Sequence, residues 1–258
     1  MLKVTFEVSI NTNRHLGDSI AILNCLYNVA ILNKCAFTVR GPKYIKELFD
    51  CFEYTGLLYD GTVTPPVQNN CSICDLYPSL TTVPFLNGKH FKINRKISFF
   101  GTVKLPKLKS YRRDIGCTPT IGNVEYFQFD NRTKGNKIII NVAIMEFLLD
   151  KFSSRNTPGC IVFGLGGKDT ISYLDYDFKL RSIAEIAELL SECRKFIGID
   201  SGLSHLAGTT KVEGCVFINN LNDCFAKDLK TFYQSMYPTL TVYNLKSLLI
   251  ESKIKYEH

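Results

Sequence analysis

The sequence has no long run of apolar residues. Nowhere in its 258 residues do 18 apolar residues follow one another, although 45% of the residues are hydrophobic. Because a membrane-spanning helix needs about 20 such residues, we predict no transmembrane helix. Residues Met1 to Glu7 place an acid within a short apolar stretch, which indicates a first β-strand and not a signal peptide. We therefore expect a cytoplasmic chain with enough apolar material for a core.

The sequence also lacks the paired motifs of a zinc site or a disulfide framework. Its ten cysteines include one C-x-x-C, Cys71 and Cys74, but no second C-x-x-C and no H-x-x-x-H. A structural zinc needs four ligands, so a plain loop is the favoured interpretation, with metal or redox use as the alternative. Four other cysteines lie in apolar runs, where a reduced thiol behaves as a small buried hydrophobe: Cys25, Cys35, Cys193 and Cys215.

Acidic residues are missing from residues 89–113, which hold nine Lys and Arg. The net charge of +7 lies entirely in residues 1–118, which have 15 basic and 8 acidic residues, whereas residues 119–258 have 16 of each. Such an uneven distribution favours a polyanionic partner, either nucleic acid or a phosphorylated lipid or sugar. A solvated basic face without a partner is the alternative.

The chain begins with a strand–helix–strand–helix pattern. Residues 3–10 alternate as in a strand, a helix is predicted from Asp18 to about Leu32, a strand from Ala36 to Arg40, and a second helix through Phe49. This alternation is typical of a parallel sheet with crossover helices. Residues 60–118 have many Pro, Gly and Asn residues and give no clear pattern beyond short β-like pieces, such as residues 96–100.

A second α/β series begins near residue 124. Strands are predicted at residues 124–129, 160–163 and 196–199, and helices at residues 143–152, at residues 182–193 and from Ser201. Gly116, Pro119 and Gly122 cluster between the two series. We therefore predict two domains, residues 1–118 and 119–258, and no internal repeat.

The strongest motif joins a hydrophobic strand, residues 196–199, to the start of a helix through Asp200, Ser201 and Gly202. A helix N-terminus offers free N–H groups and a partial positive charge, which suit the diphosphate of a nucleotide. An ordinary strand-to-helix turn is the alternative.

Residues 198–207, G-I-D-S-G-L-S-H-L-A, are similar to the D-S/T-G-L-S-H-L-A signature of the ADP-heptose-type glycosyltransferases, the heptosyltransferases. Residues 182–198 resemble the helix and strand that lead into this signature. Residues 15–20, H-L-G-D-S-I, resemble the glycine–aspartate loop after the family's first strand. The resemblance implies the α/β fold called GT-B, in which two Rossmann-like domains face each other across a cleft. The first domain would bind the acceptor and the second the nucleotide-sugar.

The resemblance also implies roles for individual residues. Asp18 matches the family's general base, which removes the proton of the acceptor hydroxyl as it attacks the anomeric carbon. Its position before a predicted helix also suits an N-cap, which is the alternative role. Asp169 stands where the family has a glutamate that holds the nucleotide ribose. The other residues implied in donor binding are Asp200, Ser201, Gly202, Leu203, Ser204, His205, Gly166, Gly167, Arg132, Thr133 and Lys134.

We expect the donor to be a UDP- or ADP-sugar, with no further cofactor and no metal. Arg132, Thr133 and Lys134 would neutralise the leaving diphosphate. Asp175 and Asp177 form a D-x-D, a metal-binding motif of another glycosyltransferase fold, but this short pattern is common by chance. A single carboxylate base at the acceptor suits direct displacement, so we expect inversion at the anomeric carbon.

The acceptor is open among three hypotheses. The basic segment, with Phe91, Phe99, Phe100 and Tyr111 interleaved, favours duplex DNA, as in the transferases of T-even-like phages that modify hydroxymethylcytosine. A phosphorylated glycolipid of the lipopolysaccharide core, or a protein, is the alternative. A binding module without catalysis is the third, and the presence of Asp18 argues against it. The predicted acceptor-binding residues are Arg14, His15, Lys104, Lys107, Lys109, Arg112 and Arg113.

Overall fold

The structure is a computed structural model of the chain. It describes residues 5–10, 16–41, 43–61, 83–86, 89–91, 103–109, 125–128, 161–163, 182–218, 224–245 and 247. Within these ranges, no helix is both long and apolar enough to cross a membrane.

A parallel three-stranded sheet forms the first part of the structure. Its elements are β1 (Thr5–Ser9), α1 (Leu16–Asn33), β2 (Ala36–Arg40), α2 (Lys43–Cys51), β3 (Phe52–Glu53) and β4 (Leu57–Tyr59). The strand order is β1-β2-β4, and both pairings are parallel. The predicted strand–helix–strand–helix pattern is therefore confirmed, including the bounds of β2.

Short antiparallel pairs follow in the region that the sequence left unclear. Strand β5 (Val83–Leu86) pairs with β6 (Lys89–Phe91), and β7 (Lys107–Leu108) pairs with β3. The β-like piece predicted at residues 96–100 and the predicted domain boundary lie outside the described residues, so both stay predictions.

A parallel five-stranded sheet forms the second part. Its elements are β8 (Glu125–Gln128), β9 (Ile161–Phe163), α3 (Ile183–Glu192), β10 (Lys195–Ile199), α4 (Gly202–Thr210), β11 (Gly214–Ile218), α5 (Cys224–Met236) and β12 (Leu240–Asn244). The strand order is β9-β8-β10-β11-β12, and every pairing is parallel. Counted from β8, this is the 2-1-3-4-5 order of a doubly wound sheet. The predicted strands and the helices α3 and α4 are confirmed, while the helix predicted at residues 143–152 lies outside the described residues.

Helices of the two parts pack directly on one another. Helix α1 lies against α4, and α2 lies against α3. Most of α1 is buried, with apolar side chains such as Ile20, Leu23 and Leu26 in the shared core. Helix α1 therefore joins the first sheet to the helices of the second.

The four cysteines predicted to be buried are buried. Burial raises the pKa of Cys25 and of Cys193 to about 12, so both thiols stay protonated at neutral pH. A protonated thiol is a poor metal ligand and a poor nucleophile. These two cysteines therefore contribute packing, whereas Cys71 and Cys74 lie outside the described residues.

Candidate functional site

The topology of the second sheet points to one edge as a binding site. Strands β8 and β10 are neighbours, with Gln128 opposite Gly198, although β9 comes between them in the chain. In a doubly wound sheet, ligands bind beyond the carboxyl ends of the strands where the strand order reverses. Asp200 and Ser201 follow β10 directly, so they lie at this position.

The N-termini of α1 and α4 meet at the same position. A Cβ built on Gly17, the second residue of α1, would lie 3.1 Å from the Cα of Gly202 and 2.9 Å from the Cδ2 of His205. A Cβ built on Gly202, the first residue of α4, would lie 3.2 Å from the Gly17 nitrogen. Backbones can approach this closely only where neither residue carries a side chain. The two glycines therefore allow the two helices to begin side by side.

Two adjacent helix N-termini favour the binding of a negatively charged group. Each N-terminus has N–H groups without an intrahelical acceptor and carries roughly half a unit of positive charge. Placed side by side, these partial charges repel each other, and an anion beside both removes the repulsion. The junction of Gly17 and Gly202 is therefore a site suited to a phosphate or diphosphate group.

Asp18 lies in the first turn of α1, immediately after Gly17, and is half-buried. Ser19 beside it forms a hydrogen bond of 3.0 Å with the hydroxyl of Tyr44 in the first turn of α2. Burial raises the pKa of Tyr44; the hydrogen bond with Ser19 opposes this shift, and the nearby negative charge of Asp18 adds to it. Asp18 therefore lies near both the helix junction and a tyrosine hydroxyl that the sequence did not single out.

Asp200 is held by the hydroxyl of a distant tyrosine. The hydroxyl of Tyr233, in α5, donates a hydrogen bond of 2.8 Å to Oδ1 of Asp200 and lies 2.6 Å from Oγ of Ser204. The Ser204 Oγ in turn accepts a hydrogen bond of 2.9 Å from the backbone N–H of Ser201. Three of the predicted donor-binding residues are therefore connected through Tyr233, while the Asp200 side chain keeps 36% of its surface exposed.

His205 lies beneath this turn, with 2% of its surface exposed. Its ring stacks on the ring of Tyr233, with centroids 4.8 Å apart, and its Nδ1 lies 3.1 Å from the hydroxyl of Tyr237. Burial lowers the pKa of His205 to about 3, so the imidazole is neutral at physiological pH. The side chain supports the turn from below and does not reach the surface where a ligand would lie.

A buried polar contact joins α1 to the end of α5. Nδ2 of Asn24 donates hydrogen bonds of 2.8 Å to Oγ1 of Thr209 and of 3.2 Å to the hydroxyl of Tyr237. Tyr237 is fully buried and also packs against Gly208. Hydrogen bonds in such a dry environment are costly to break, so Asn24 fixes the position of α1 relative to α4.

The predicted residues divide into those that the structure brings together and those that it does not describe. Asp18, Asp200, Ser201, Gly202, Leu203, Ser204 and His205 lie around the helix junction. The remaining predicted residues of the donor site lie outside the described residues: Arg132, Thr133, Lys134, Gly166, Gly167 and Asp169. Their roles stay predictions, as does the catalytic role of Asp18. Arg14, His15, Arg112 and Arg113 of the predicted acceptor site, and the D-x-D of Asp175 and Asp177, also lie outside the described residues.

Three predicted acceptor-binding lysines are exposed, and one of them, Lys104, lies beside α1. The backbone of Lys104 exchanges hydrogen bonds of 2.8 and 2.9 Å with the side chain of Asn28. Lys107 lies in β7, and Nζ of Lys109 donates a hydrogen bond of 2.6 Å to the carbonyl oxygen of Phe49 in α2. Asn28 is ten residues after Asp18, which is about 15 Å along the helix. Lys104 would therefore contact a part of an acceptor well away from a hydroxyl at Asp18.

Sequence reasoning missed the residues that hold the site from below, namely Asn24, Tyr233 and Tyr237. The spacing of polar residues within the helices was a signal that could have identified them. Asn24 and Asn28 stand four residues apart among the apolar residues of α1, and Tyr233 and Tyr237 are also four residues apart. Polar groups that recur at helical spacing on a buried face need partners. Here Asn24 donates to Thr209 and Tyr237, Asn28 bonds to the backbone of Lys104, and Tyr233 donates to Asp200.

Comparisons with known proteins give structural neighbours only. The scan against family models and the search of curated proteins find no match. Among solved structures, the glycosyl transferase family 9 from Veillonella parvula DSM 2008 has a TM-score of 0.55 and 12% identity. The similarity covers 98% of this chain and 89% of that one.

Two further neighbours are structures of TibC, described as an iron-containing dodecameric glycosyltransferase from enterotoxigenic E. coli and, with ADP-D-β-D-heptose, as a heptosyltransferase. Their TM-scores are 0.45 and 0.46 at 17% and 16% identity. The similarity covers 84% of this chain in both, and this chain spans 59% and 60% of theirs. None of the three structures is described as acting on DNA. The match to the Veillonella structure, which extends over nearly the whole chain, shows that this protein has the fold of that glycosyltransferase.

Proposed function

We propose that this protein is a nucleotide-sugar-dependent glycosyltransferase of the heptosyltransferase type, built as two Rossmann-like domains in the GT-B arrangement. The observation that carries the proposal is the meeting of two helix N-termini at the switch point of the second sheet, with Asp18 beside one and Asp200 beside the other. The fold shared with a family 9 glycosyltransferase supports it.

The donor would bind with its diphosphate at the junction of Gly17 and Gly202. The N-termini of both helices meet at that position, so their remaining N–H groups would neutralise the charge that grows on the diphosphate as it leaves. Asp200 is an anion and can only accept hydrogen bonds, so it would contact hydroxyl groups of the sugar and not the phosphates. Arg132 and Lys134, which follow β8, would add cations.

Transfer would begin with Asp18. Its carboxylate takes the proton from the acceptor hydroxyl as that oxygen forms a bond to the anomeric carbon of the sugar. The bond between the anomeric carbon and the diphosphate oxygen breaks, its electron pair stays with the diphosphate, and the configuration inverts. Because Asp18 follows Gly17, which contacts Gly202, the base and the donor turn come from different parts of the chain but lie close together.

A phosphorylated glycolipid is the acceptor that we favour. The residues that resemble heptosyltransferases include both Asp18 and the donor turn, whereas the argument for DNA rests on charge. The exposed Lys104, whose backbone bonds to Asn28 about 15 Å from Asp18 along α1, suits a phosphate carried at a distance from the reacting hydroxyl. A phosphorylated lipid core provides such phosphates as well as a duplex does.

The test presents both acceptors to the purified protein with labelled ADP-D-β-D-heptose and, in parallel, labelled UDP-glucose. One acceptor is a phosphorylated lipopolysaccharide core and the other a duplex that contains hydroxymethylcytosine. We expect label in the glycolipid, none in the DNA, and release of one nucleoside diphosphate per sugar transferred. Label in the duplex alone would make DNA the acceptor. Nucleotide binding without transfer to any acceptor would favour a binding module.

A further inference from the structure

The carboxylate of Asp200 stands at the end of β10 and in front of α4. Two buried side chains approach its Oδ1, the hydroxyl of Tyr233 at 2.8 Å and Nε2 of His205 at 3.8 Å. A separation of 3.8 Å is too long for a hydrogen bond. Because His205 is also neutral, Tyr233 is the group of this pair that directs Oδ1 of Asp200.

The direction of donation along this contact is fixed by chemistry. An ionised carboxylate only accepts hydrogen bonds, so the Tyr233 hydroxyl must donate to Asp200. That hydroxyl has a single proton, which it gives to Asp200. Oγ of Ser204 lies 2.6 Å from the Tyr233 hydroxyl, accepts from the N–H of Ser201 and donates to the carbonyl oxygen of Ser201 at 2.7 Å. The Tyr233 hydroxyl therefore lies between the exposed carboxylate of Asp200 and a serine that is itself bonded to the backbone at the start of α4.

Packing holds the Tyr233 ring in place. Its side chain is fully buried, its ring stacks on His205, and it lies against Phe232 and Tyr237 at centroid distances of 6.3 and 5.6 Å. A ring enclosed in this way cannot follow Asp200 if the carboxylate turns, so the hydroxyl is a fixed point. The exposed part of Asp200 is therefore oriented by a group that a ligand does not touch.

We propose that Tyr233 is a positioning residue of the donor site, which sets the orientation of Asp200 toward the sugar of the nucleotide-sugar. This inference rests on the proposed function. Tyr233 acts only through Asp200, so its hydroxyl affects recognition of the sugar and leaves recognition of the nucleoside diphosphate unchanged.

The experiment compares affinities for a nucleoside diphosphate and its sugar derivative by calorimetric titration. The pairs are ADP with ADP-D-β-D-heptose, and UDP with UDP-glucose. Tyr233→Phe removes one hydroxyl that bonds to a charged group, and we expect it to weaken binding of the sugar derivative about tenfold, with the nucleoside diphosphate affinity unchanged. In an Asp200→Ala background, Tyr233→Phe should have no further effect, because its target is gone.

Tyr59→Phe is the control, since it removes a tyrosine hydroxyl that donates to the carbonyl oxygen of Gly41 in the first part of the structure. We expect it to lower the thermal stability without changing the ratio of the two affinities. Ser204→Ala is a second test, because it removes the Oγ that lies 2.6 Å from the Tyr233 hydroxyl, and it should shift the ratio in the same direction as Tyr233→Phe, by less.

The outcomes separate this inference from the proposed function. If wild-type protein binds none of ADP, UDP, GDP and CDP, the proposed function is wrong. The proposed role of Tyr233 is then wrong as well, because it rests on that function. If Asp200→Ala weakens sugar recognition and Tyr233→Phe does not, only the inference about Tyr233 is wrong. Equal losses for the nucleoside diphosphate and its sugar derivative would also overturn it, because they would show a purely structural role.

Discussion

The first turns of α1 and α4 have similar positions in the fold, but their aspartates have different surroundings. Both follow a parallel strand, both have a glycine among their first two residues at the junction, and both have an aspartate close by, Asp18 in α1 and Asp200 before α4. Asp200 is tied to a buried layer of Tyr233, Ser204 and His205. Asp18 lies instead in a half-buried turn beside Tyr44.

The difference indicates a division of tasks between the two carboxylates. A side chain that recognises a ligand binds more tightly when its orientation is already fixed, because it then loses little conformational entropy on binding. A general base has to reach the proton of an incoming acceptor, and its geometry is completed only when that acceptor binds. The two turns therefore have the surroundings expected of a recognition residue and of a base.

The largest effect that we predict is on catalysis. Asp18→Asn should lower turnover about 10²- to 10⁴-fold, because the amide cannot accept the proton of the acceptor, while nucleotide affinity is retained. The measurement is the transfer rate at saturating donor, with the acceptor that takes up label. Asp50→Asn is the control, since Asp50 is an exposed carboxylate paired with Lys46 at 2.7 Å. Equal rates in the two variants would remove Asp18 from the mechanism and with it the proposed division of tasks.

The next effect concerns the contact that holds the two turns together. Asn24→Ala removes the donor to Thr209 and Tyr237 and leaves buried hydroxyls with fewer partners, so we expect the free energy of unfolding to fall by about 1–3 kcal/mol. Urea unfolding measures it. Lys46→Ala, which breaks only an exposed ion pair, should leave the free energy of unfolding close to that of wild type. If the two variants lose the same amount, Asn24 does not fix α1 against α4.

The third effect is a dependence of stability on pH. The pKa of His205 is lowered from 6.5 to about 3 in the folded chain, so the unfolded chain binds this proton first as the pH falls. Stability from the neutral imidazole is therefore complete above about pH 6.5 and is lost as the pH falls toward 3, with a slope of at most about 1.4 kcal/mol per pH unit.

His205→Phe isolates this contribution because it keeps a ring beside Tyr233 and cannot take up a proton. Unfolding in urea at several pH values between 3 and 7 should show a shallower dependence for the variant. The groups that face the imidazole are Asp200, Tyr233 and Tyr237, and the phenols do not titrate in this range. The same slope in both proteins would mean that His205 is not buried in its neutral form.

The sequence predicted the elements whose pattern is local. The bounds of β2 and the strand–turn–helix unit of β10 and α4 follow from hydrophobic periodicity and a glycine turn, and both are confirmed. The motif also drew attention to Asp200 and His205. Periodicity carries no information on which residues meet from distant parts of the chain, so the tyrosine layer and the contact of Asn24 with Tyr237 needed the tertiary structure. For the same reason, the buried position of His205 was not apparent from its motif.

The most direct measurement of the central claim is nucleotide binding to a variant with an added charge at the helix junction. Ser201→Asp keeps a good N-cap residue for α4 but places a carboxylate where the diphosphate would lie. Ser182, which caps α3 through a reciprocal pair of contacts with Glu185, offers the same substitution away from the junction. We predict that Ser201→Asp weakens ADP or UDP binding at least about tenfold, since like charges repel in a site of low dielectric, and that Ser182→Asp binds as wild type does. Unchanged binding by a folded Ser201→Asp variant would contradict the assignment of the junction as the diphosphate site.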